Sequence, residues 1–338
     1  MTGRDLPLSP TQLRSLRREL LRWYDHHRRE LPWRRDHDPY RIWVSEVMLQ
    51  QTRVAAVLEH YARFLQRFPT VQSLAAARES SVLAAWSGLG YYHRARRMQR
   101  AAKMIIRKLG GNFPQTADDW LQLPGIGRYT AAAIASIAFG EAVAVVDGNV
   151  ERVLQRLFGD GEERRWRQAQ ALLDRKRPGD FNQAMMELGA TICTPRAPQC
   201  LLCPVMQFCK TRAAEEKTPT SMRKRKDLYY AFACKDDSVL LVQRPAGASL
   251  MASMWELPAL TPGQVNGDAP LLRLRHSITD TDYRVAVFRV APDQLRDRAA
   301  ESKWFSARQC ERLPLTGLTR KVLRRAALAS RVPVAVSK

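Results

Sequence analysis

The chain has 338 residues, 55 of them Lys or Arg against 33 Asp or Glu, for a net charge of +22, and 45% of its residues are hydrophobic. One core rarely grows past roughly 250 residues, so the length implies two domains, and the apolar share excludes a mainly disordered chain. The charge favours a polyanionic partner, because Lys and Arg gain affinity by releasing counterions condensed on phosphates. An anionic membrane surface would also suit it, but the most apolar stretch, 129–146, is broken by Gly140 and Glu141 and is rich in Ala rather than Leu.

At the N-terminus Arg4 and Asp5 precede Leu6-Pro7-Leu8, with no apolar run followed by a cleavage site. A reducing cytoplasm is expected, and the six cysteines then call for something other than disulfides. Residues 10–210 read as almost wholly helical. Asp38-Pro39 pairs an N-cap with Pro at the first helical position and opens a helix expected to run through Met48 to Val54. From His93 to Lys108, Arg94, Arg96, Arg97, Arg100, Lys103, Arg107 and Lys108 alternate at helical spacing with Ala and Ile, with no acid among them. That face is expected to meet phosphates, where an ordinary solvated face would mix both signs. Thr116 with Asp119 resembles a capping box and starts a helix that ends at Leu123-Pro124-Gly125; another is expected from Thr130 to Phe139, stopping at Gly140. The joint between these two, Leu123 to Ala131, places Gly125 and Gly127 ahead of a helix start at Thr130. Glycines there allow close backbone approach, and the free N–H groups of the helix start suit an anion; a plain helical hairpin is the competing reading.

Cys193, Cys200, Cys203 and Cys209 follow a C-x6-C-x2-C-x5-C pattern stiffened by Pro195, Pro198 and Pro204. Four thiols this close in a reducing compartment imply a metal site. Zinc takes four thiolates but usually between two C-x2-C hooks, and iron–sulfur clusters also take four cysteines, so the chemistry alone leaves the metal open. The chain then turns polar and basic over 211–227, a linker by composition. Beyond it, Leu228 to Cys234, Ser238 to Gln243 and Tyr283 to Val290 are β-rich runs, and Thr319 to Arg331 looks like a final basic helix. Basic residues number 34 up to position 220 and 21 after it, against 22 and 11 acids, so both halves are basic. The expected organisation is a helical domain over 1–212 carrying the cysteine loop, a basic linker over 213–227, and an α+β domain over 228–338.

Several motifs occur together. Ser45-Glu46-Val47-Met48-Leu49-Gln50-Gln51-Thr52, Gly88-Leu89-Gly90-Tyr91-Tyr92, the 123–131 hairpin, Val146-Asp147-Gly148-Asn149-Val150, Phe181 to Met186, Leu188-Gly189-Ala190 and the cysteine spacing resemble the helix–hairpin–helix DNA glycosylases and, within them, the adenine-specific branch. The resemblance runs from about residue 12 to 212. It implies a mainly α glycosylase domain with an iron–sulfur loop, whose four cysteines hold a [4Fe–4S] cluster. The implied partner is duplex DNA carrying adenine opposite 8-oxoguanine or guanine, bound by a monomer.

N-glycosidic cleavage passes through an oxocarbenium-like state and needs an acid for the leaving base and an anion near the sugar. Glu46 sits on a predicted helix among Trp43, Val44, Val47 and Met48, where burial would raise its pKa. The resemblance makes Glu46 the general acid and base, and Asp147 the carboxylate that stabilises C1′ directly or covalently, with Asn149 in support. Asp147 precedes a predicted helix, where Asp is also routinely a structural N-cap. Position 129, a Schiff-base lysine in bifunctional relatives, is Tyr129, so a monofunctional enzyme is expected. The target base must be flipped out of the duplex. By resemblance Gln51 and Tyr91 enter the vacated stack, Arg29, Leu31 and Glu187 shape the adenine pocket, and Gly125, Gly127 and Thr130 hold the DNA backbone.

Leu240 to Pro245 and Met254 to Pro258 resemble the Nudix-like C-terminal domain of the same branch, without the glutamate-bearing helix of metal-dependent Nudix hydrolases. Where many members carry a Phe-Ser-His loop for the lesion, this chain has Arg275-His276-Ser277-Ile278-Thr279. His276 and Ser277 are the candidate lesion contacts, and a structural strand is the alternative for this segment. Two other readings of function remain: a related thymine or uracil mismatch glycosylase, and a non-catalytic iron–sulfur DNA-binding protein.

Overall fold

The computed structural model describes residues 6–159, 161, 164–211, 224–248, 250–265, 269–278, 281–295 and 302–329. They divide into two compact units, one of residues 1–76 with 97–219 and another of 77–96 with 220–338. The first is helical and the second carries the sheets.

The helical unit holds α1 (Pro10–His27), α2 (Pro39–Leu49), α3 (Val54–Arg67) and α4 (Val71–Ala76). After α5 (Glu79–Trp86), which belongs to the other unit together with residues 93–96 of the next helix, come α6 (His93–Leu109), α7 (Ala117–Leu121), α8 (Arg128–Phe139), α9 (Gly148–Phe158), α10 (Arg165–Leu172) and α11 (Pro178–Thr191). Asp38 caps α2 by accepting from the N–H groups of Tyr40 and Arg41, and Thr116 caps α7 by accepting from Asp119 N. Gly140 ends α8 with φ +73°, a left-handed conformation that costs glycine little. Boundaries differ from expectation at two helices of the site: α2 stops at Leu49, with a turn through Gln51 at φ +53° before α3, and α8 starts at Arg128 rather than Thr130.

Position in the bundle explains composition. Nearly all of α2 from Tyr40 to Met48 is buried, and so is α8 from Thr130 to Ile137. The run Ala131–Ala135 lets α8 lie against both α2 and α11, since small side chains allow helix axes to approach closely. Helix α9 packs on α11, where Gly189 leaves room: a Cβ there would sit 2.7 Å from the Asn149 Cβ and 2.8 Å from its carbonyl oxygen. This stacking brings the C-terminal end of α2, the N-terminal ends of α8 and α9, and the middle of α11 into one region.

In the second unit, β1 (Lys224–Phe232), β2 (Cys234–Lys235), β3 (Ser238–Gln243), β4 (Trp255–Glu256), β5 (Ala259–Leu260), β6 (Leu272–Ile278), β7 (Thr281–Arg289) and β8 (Ser302–Ser306) form two sheets. One has the order β5-β1-β7-β6; in the other β3 lies between β2 and β4 in the pairing path and also pairs with β8. Strand β1 starts at Lys224, inside the stretch that composition marks as linker, because it pairs in parallel with β7 along its whole length. Helices α12 (Ala307–Arg312) and α13 (Gly317–Ala329) complete the unit, and Leu318 and Val322 of α13 join Tyr230, Leu241, Val285 and Val287 in its core. Residues 77–96 are tied into the same unit: Ser87 Oγ donates to the Leu315 carbonyl at 2.9 Å, and Arg320 Nε donates to Ser87 Oγ at 2.9 Å. No helix among the described residues is long and apolar enough to cross a membrane.

Candidate active site

Glu46 lies on the last turn of α2 with only 5% of its surface exposed. Its Oε2 accepts a 2.6 Å hydrogen bond from the Tyr129 hydroxyl, whose oxygen is also 3.3 Å from Met186 Sδ on α11. Burial pushes the Glu46 carboxyl up to about 7; the Tyr129 hydrogen bond opposes this, the charge of Asp147 adds to it, and Arg34 pulls the other way. Glu46 is therefore a carboxylic acid held ready to release a proton near neutrality.

Asp147 is the N-cap of α9. Its Oδ1 accepts from Asn149 N at 3.0 Å and Val150 N at 2.7 Å, and its Oδ2 from Asn149 Nδ2 at 3.1 Å. Burial raises its pKa, and these three donors act against that rise. Cap and reactive carboxylate are thus compatible: the same donors satisfy the helix end and favour the anion.

Of the three residues the resemblance assigns to the adenine pocket, Arg29 and Glu187 are in direct contact. Glu187 on α11 is buried, and its carboxylate takes a forked contact from Arg29, Nε to Oε1 at 2.6 Å and Nη2 to Oε2 at 2.8 Å. Leu31 is buried ahead of the 3-10 turn Pro32–Arg34. A third partner comes from Arg34, which donates to Glu187 Oε2 at 2.9 Å and has no sequence signal of its own. Burial alone would raise the Glu187 pKa, but the Arg29 hydrogen bond and the Arg34 charge outweigh it and hold the carboxyl below its usual range.

The hairpin between α7 and α8 presents its glycines differently. Gly125 has φ +82°, and a Cβ would lie 2.5 Å from the Arg97 Cβ, so the fold itself requires glycine there. Gly127 caps α8 at φ −97°, and a Cβ at that position would have nothing within 4 Å, so the chain alone gives no reason for glycine. Thr130 is buried, its Oγ1 accepting from Gln50 Nε2 at 3.1 Å. Gln51 and Tyr91 both take left-handed backbone, at φ +53° and +45°, and both are exposed. Non-glycine residues held so cost about 1–3 kcal/mol each and concentrate at functional sites. Along α6 the basic face is only partly free: Arg94 is buried, its guanidinium 5.5 Å from the centre of the Tyr91 ring, and Arg96 pairs with Glu79 at 2.8 Å.

His276 and Ser277 lie within β6, the strand alternative, paired opposite Tyr283 and Asp282. Ser277 Oγ donates to Asp282 Oδ1 at 2.6 Å, and burial with the nearby Lys321 charge lowers the His276 pKa. Thr279 lies outside the described residues.

Two arginines on α9 join the site to the cysteine loop. Arg152 Nη2 donates to Asn149 Oδ1 at 2.9 Å and to the Gly189 carbonyl at 2.7 Å, while its Nε donates to the Cys193 carbonyl at 2.8 Å. Arg156 is buried; its Nη1 donates to the Thr194 carbonyl at 2.8 Å and lies 3.3 Å from Cys193 Sγ. Their only sequence signal is a spacing of four along one helix. Burial raises the Cys203 thiol to about 11, and the charges of Cys193, Cys209 and Cys200 add to the rise, so all four sulfurs share one neighbourhood. Yet among the described residues no three His, Cys, Asp or Glu side chains stand close enough to share a single metal ion. A zinc ion would draw four sulfurs to about 2.3 Å from one centre. Four thiols in one neighbourhood suit either a thiolate-bound metal ion or an iron–sulfur group.

Residues 44–178 match the HhH-GPD superfamily of base excision DNA repair proteins. An adenine DNA glycosylase of Rattus norvegicus is 40% identical over 80% of this chain and 67% of its own length; one of Homo sapiens is 50% identical over 61% of this chain and 41% of its own. The chain thus spans two thirds of the rat relative's length and under half of the human one's. Among solved structures, a thermostable thymine-DNA glycosylase is 30% identical with a TM-score of 0.56, covering 60% of this chain and 97% of its own. An endonuclease III trapped in a covalent intermediate with DNA is 26% identical with a TM-score of 0.53 over 60% of this chain and 97% of its own. The fold, the motifs and the 40% identity across two thirds of the rat protein agree: the chain belongs to the adenine DNA glycosylase family.

Proposed function

We propose that this chain removes adenine paired with 8-oxoguanine or guanine in duplex DNA, in base excision repair, without cutting the strand. The observation that carries the reading is the buried Glu46 held by the Tyr129 hydroxyl at 2.6 Å and within the field of Asp147. Glu46, protonated, donates to the departing adenine at N7, and the bond to C1′ breaks with its electron pair leaving on the base. Asp147, whose three donors favour its anion, faces the positive charge that develops at C1′, either as an ion or by bonding to it. Glu46, now ionised, accepts a proton from the incoming water. Tyr129 offers no amine for a Schiff base, so the abasic strand stays intact.

Arg29, Leu31 and Glu187 serve as the adenine pocket in this reading, and Gln51 and Tyr91 as the groups that fill the gap left by the flipped base. The backbone around Gly125 and Gly127 holds a phosphate. His276 and Ser277 are the lesion contacts supplied by the second domain, over 228–338. The four cysteines hold a [4Fe–4S] cluster; the arginine contacts from α9 to Cys193 and Thr194 support a role in fixing the loop, and the group itself supplies no proton or nucleophile. A single copy acting on chromosomal DNA in a reducing cytoplasm fits the charge and the free thiols.

Thymine excision is the nearest rival, given the thymine-DNA glycosylase neighbour. Single-turnover incubation with duplexes carrying adenine opposite 8-oxoguanine, guanine or cytosine, and thymine opposite guanine, decides between them. Release of adenine from the first two is expected; retention of adenine opposite 8-oxoguanine, or faster release of thymine, would overturn the proposal. Strand breaks appearing without heat or added base would refute the monofunctional reading.

A further inference from the structure

The outer face of the β5-β1-β7-β6 sheet carries charge that base excision leaves unused. Strand pairing sets Arg284 between Asp227 and Arg275, and Ala286 between Tyr229 and Arg273. Side chains alternate along strands, so these residues share the face opposite the core residues Tyr230, Val285 and Val287. With Arg325 of α13 they line a cleft of about 620 Å³ holding four guanidiniums and one carboxylate. Arg284 reaches Asp227 at 2.7 and 2.8 Å. Arg273, Arg275 and Arg325 have no carboxylate partner among the described residues, and Asp282, one step along β7 on the same face, accepts the Ser277 hydroxyl.

Like charges directly opposite one another in an antiparallel pair are destabilising, and Arg275 opposite Arg284 is such a pair. Cations on an edge strand do discourage strand addition, and β6 is an edge. That accounts for the place of Arg273 and Arg275, and Asp227 accounts for Arg284, but neither explains why Arg325 of α13 lines the same cleft. Three guanidiniums from two elements, without a carboxylate partner of their own, thus converge on one cleft and suit an anion with several charges. Among the described residues no Asn or Gln lines it to read base edges, and its one aromatic ring, Tyr229, is half-buried against Phe288, which leaves little platform for stacking unpaired bases.

We propose that this arginine-lined sheet face grips the sugar–phosphate backbone of duplex DNA without reading sequence, adding affinity from within the C-terminal unit. Guanidinium forks suit phosphate oxygens, and each neutralised phosphate releases counterions. The inference rests on the DNA-repair reading above but has a separate test.

The full-length chain and an R273S/R275S/R325S variant are titrated with a labelled duplex lacking any mispair, across a range of salt concentrations. Each lost phosphate contact removes about 0.9 from the slope of log affinity against log salt, so the slope should fall by about 2–3. The single-turnover excision rate at saturating enzyme should stay within about twofold, because none of the three residues meets the reacting groups. The matching Arg-to-Lys triple variant should keep most of the slope. An unchanged slope in the serine variant would overturn the proposal, as would loss of binding to polyglutamate or to ATP with duplex binding intact. A parent chain that excises no adenine while the slope still falls would sink the activity reading and leave this surface standing.

Discussion

Glu46→Gln separates catalysis from stability. The rise of the carboxyl from 4.5 to about 7 means that the folded state holds a proton the unfolded chain has given up. Such a group gives its full stability below about pH 4.5 and loses it as pH rises through about 7, when ionised Glu46 must stay buried. At 1.36 kcal/mol for each pH unit between the two values, the penalty reaches about 3 kcal/mol above about pH 8. Gln carries no charge, still accepts from Tyr129, and escapes the penalty. We therefore expect excision to fall by about 10²–10⁴-fold, as when a general acid is removed. We also expect the variant to gain about 2–3 kcal/mol over the parent on going from about pH 5 to about pH 8.5. For a unit of this size the gain corresponds to roughly 5–10 °C in melting temperature. Thermal melts of both proteins at the two pH values measure it, and any pH-independent cost of the amide cancels in the comparison. An equal gap at both pH values would refute the reasoning, because Glu46 would then titrate as an ordinary surface carboxylate.

Two glycine substitutions should part ways. Gly127→Ala meets nothing within the chain, so stability should hold within about 0.5 kcal/mol while duplex affinity drops; Gly189→Ala presses on Asn149 at 2.7–2.8 Å and should cost about 1–3 kcal/mol with reduced excision, as melts and single-turnover rates will show. Tyr129→Phe removes the hydrogen bond that lowers the Glu46 pKa, so the alkaline fall in excision rate should move to higher pH. Arg34→Met leaves the buried Glu187 with Arg29 alone and should cost about 2 kcal/mol near neutrality. The Glu187 pKa lies below its usual value, so this stability is present above the unfolded pKa and disappears as pH falls, and the Arg34→Met deficit should shrink in acid. Cys203→Ser should strip iron from the purified protein and lower its melting temperature; a colourless, iron-free parent with full activity would contradict the cluster.

The helical half was legible wherever a local device marked it. Asp38-Pro39, the Thr116 cap and Gly140 all act within one turn of the residues they define, and each stands where its chemistry implies. The end of α2 was not legible, because nothing in Gln50-Gln51-Thr52 announces a left-handed residue at 51. Within the second unit, Leu272-Arg273-Leu274-Arg275 carries the alternation of a half-buried strand, which is the signal that favours strand over loop for His276 and Ser277. Arg34, Arg152 and Arg156 could not be found from periodicity. Their partners Glu187, Gly189 and Cys193 are 37 to 153 residues away, and a cation with a distant carboxylate or carbonyl looks in sequence like any solvated one. Glu46 was visible because it stands in the Ser45–Thr52 motif that carries the family resemblance, and its neighbours Trp43, Val44, Val47 and Met48 pointed to burial.

The two carboxylates at the heart of the site differ by how many donors each can reach. Asp147 sits where a helix begins, so two backbone N–H groups and the Asn149 amide converge on it, and the positive end of α9 adds to their effect. Glu46 sits near the end of α2, where backbone N–H groups are already spent within the helix, and one phenolic hydroxyl is the donor the structure gives it. Both are buried, and burial leaves both above their ordinary values; Asp147 has more donors acting against the rise. Placing one acid at a helix start and the other at a helix end thus gives two buried carboxylates unequal opposition to the rise that burial causes. It follows that moving the start of α9, by altering Gly189 or Arg152, should disturb Asp147 before Glu46. A variant at either position should lose stabilisation of the sugar while the alkaline limb set by Glu46 stays where it was; a shift of that limb instead would mean that the two carboxylates titrate as one coupled pair.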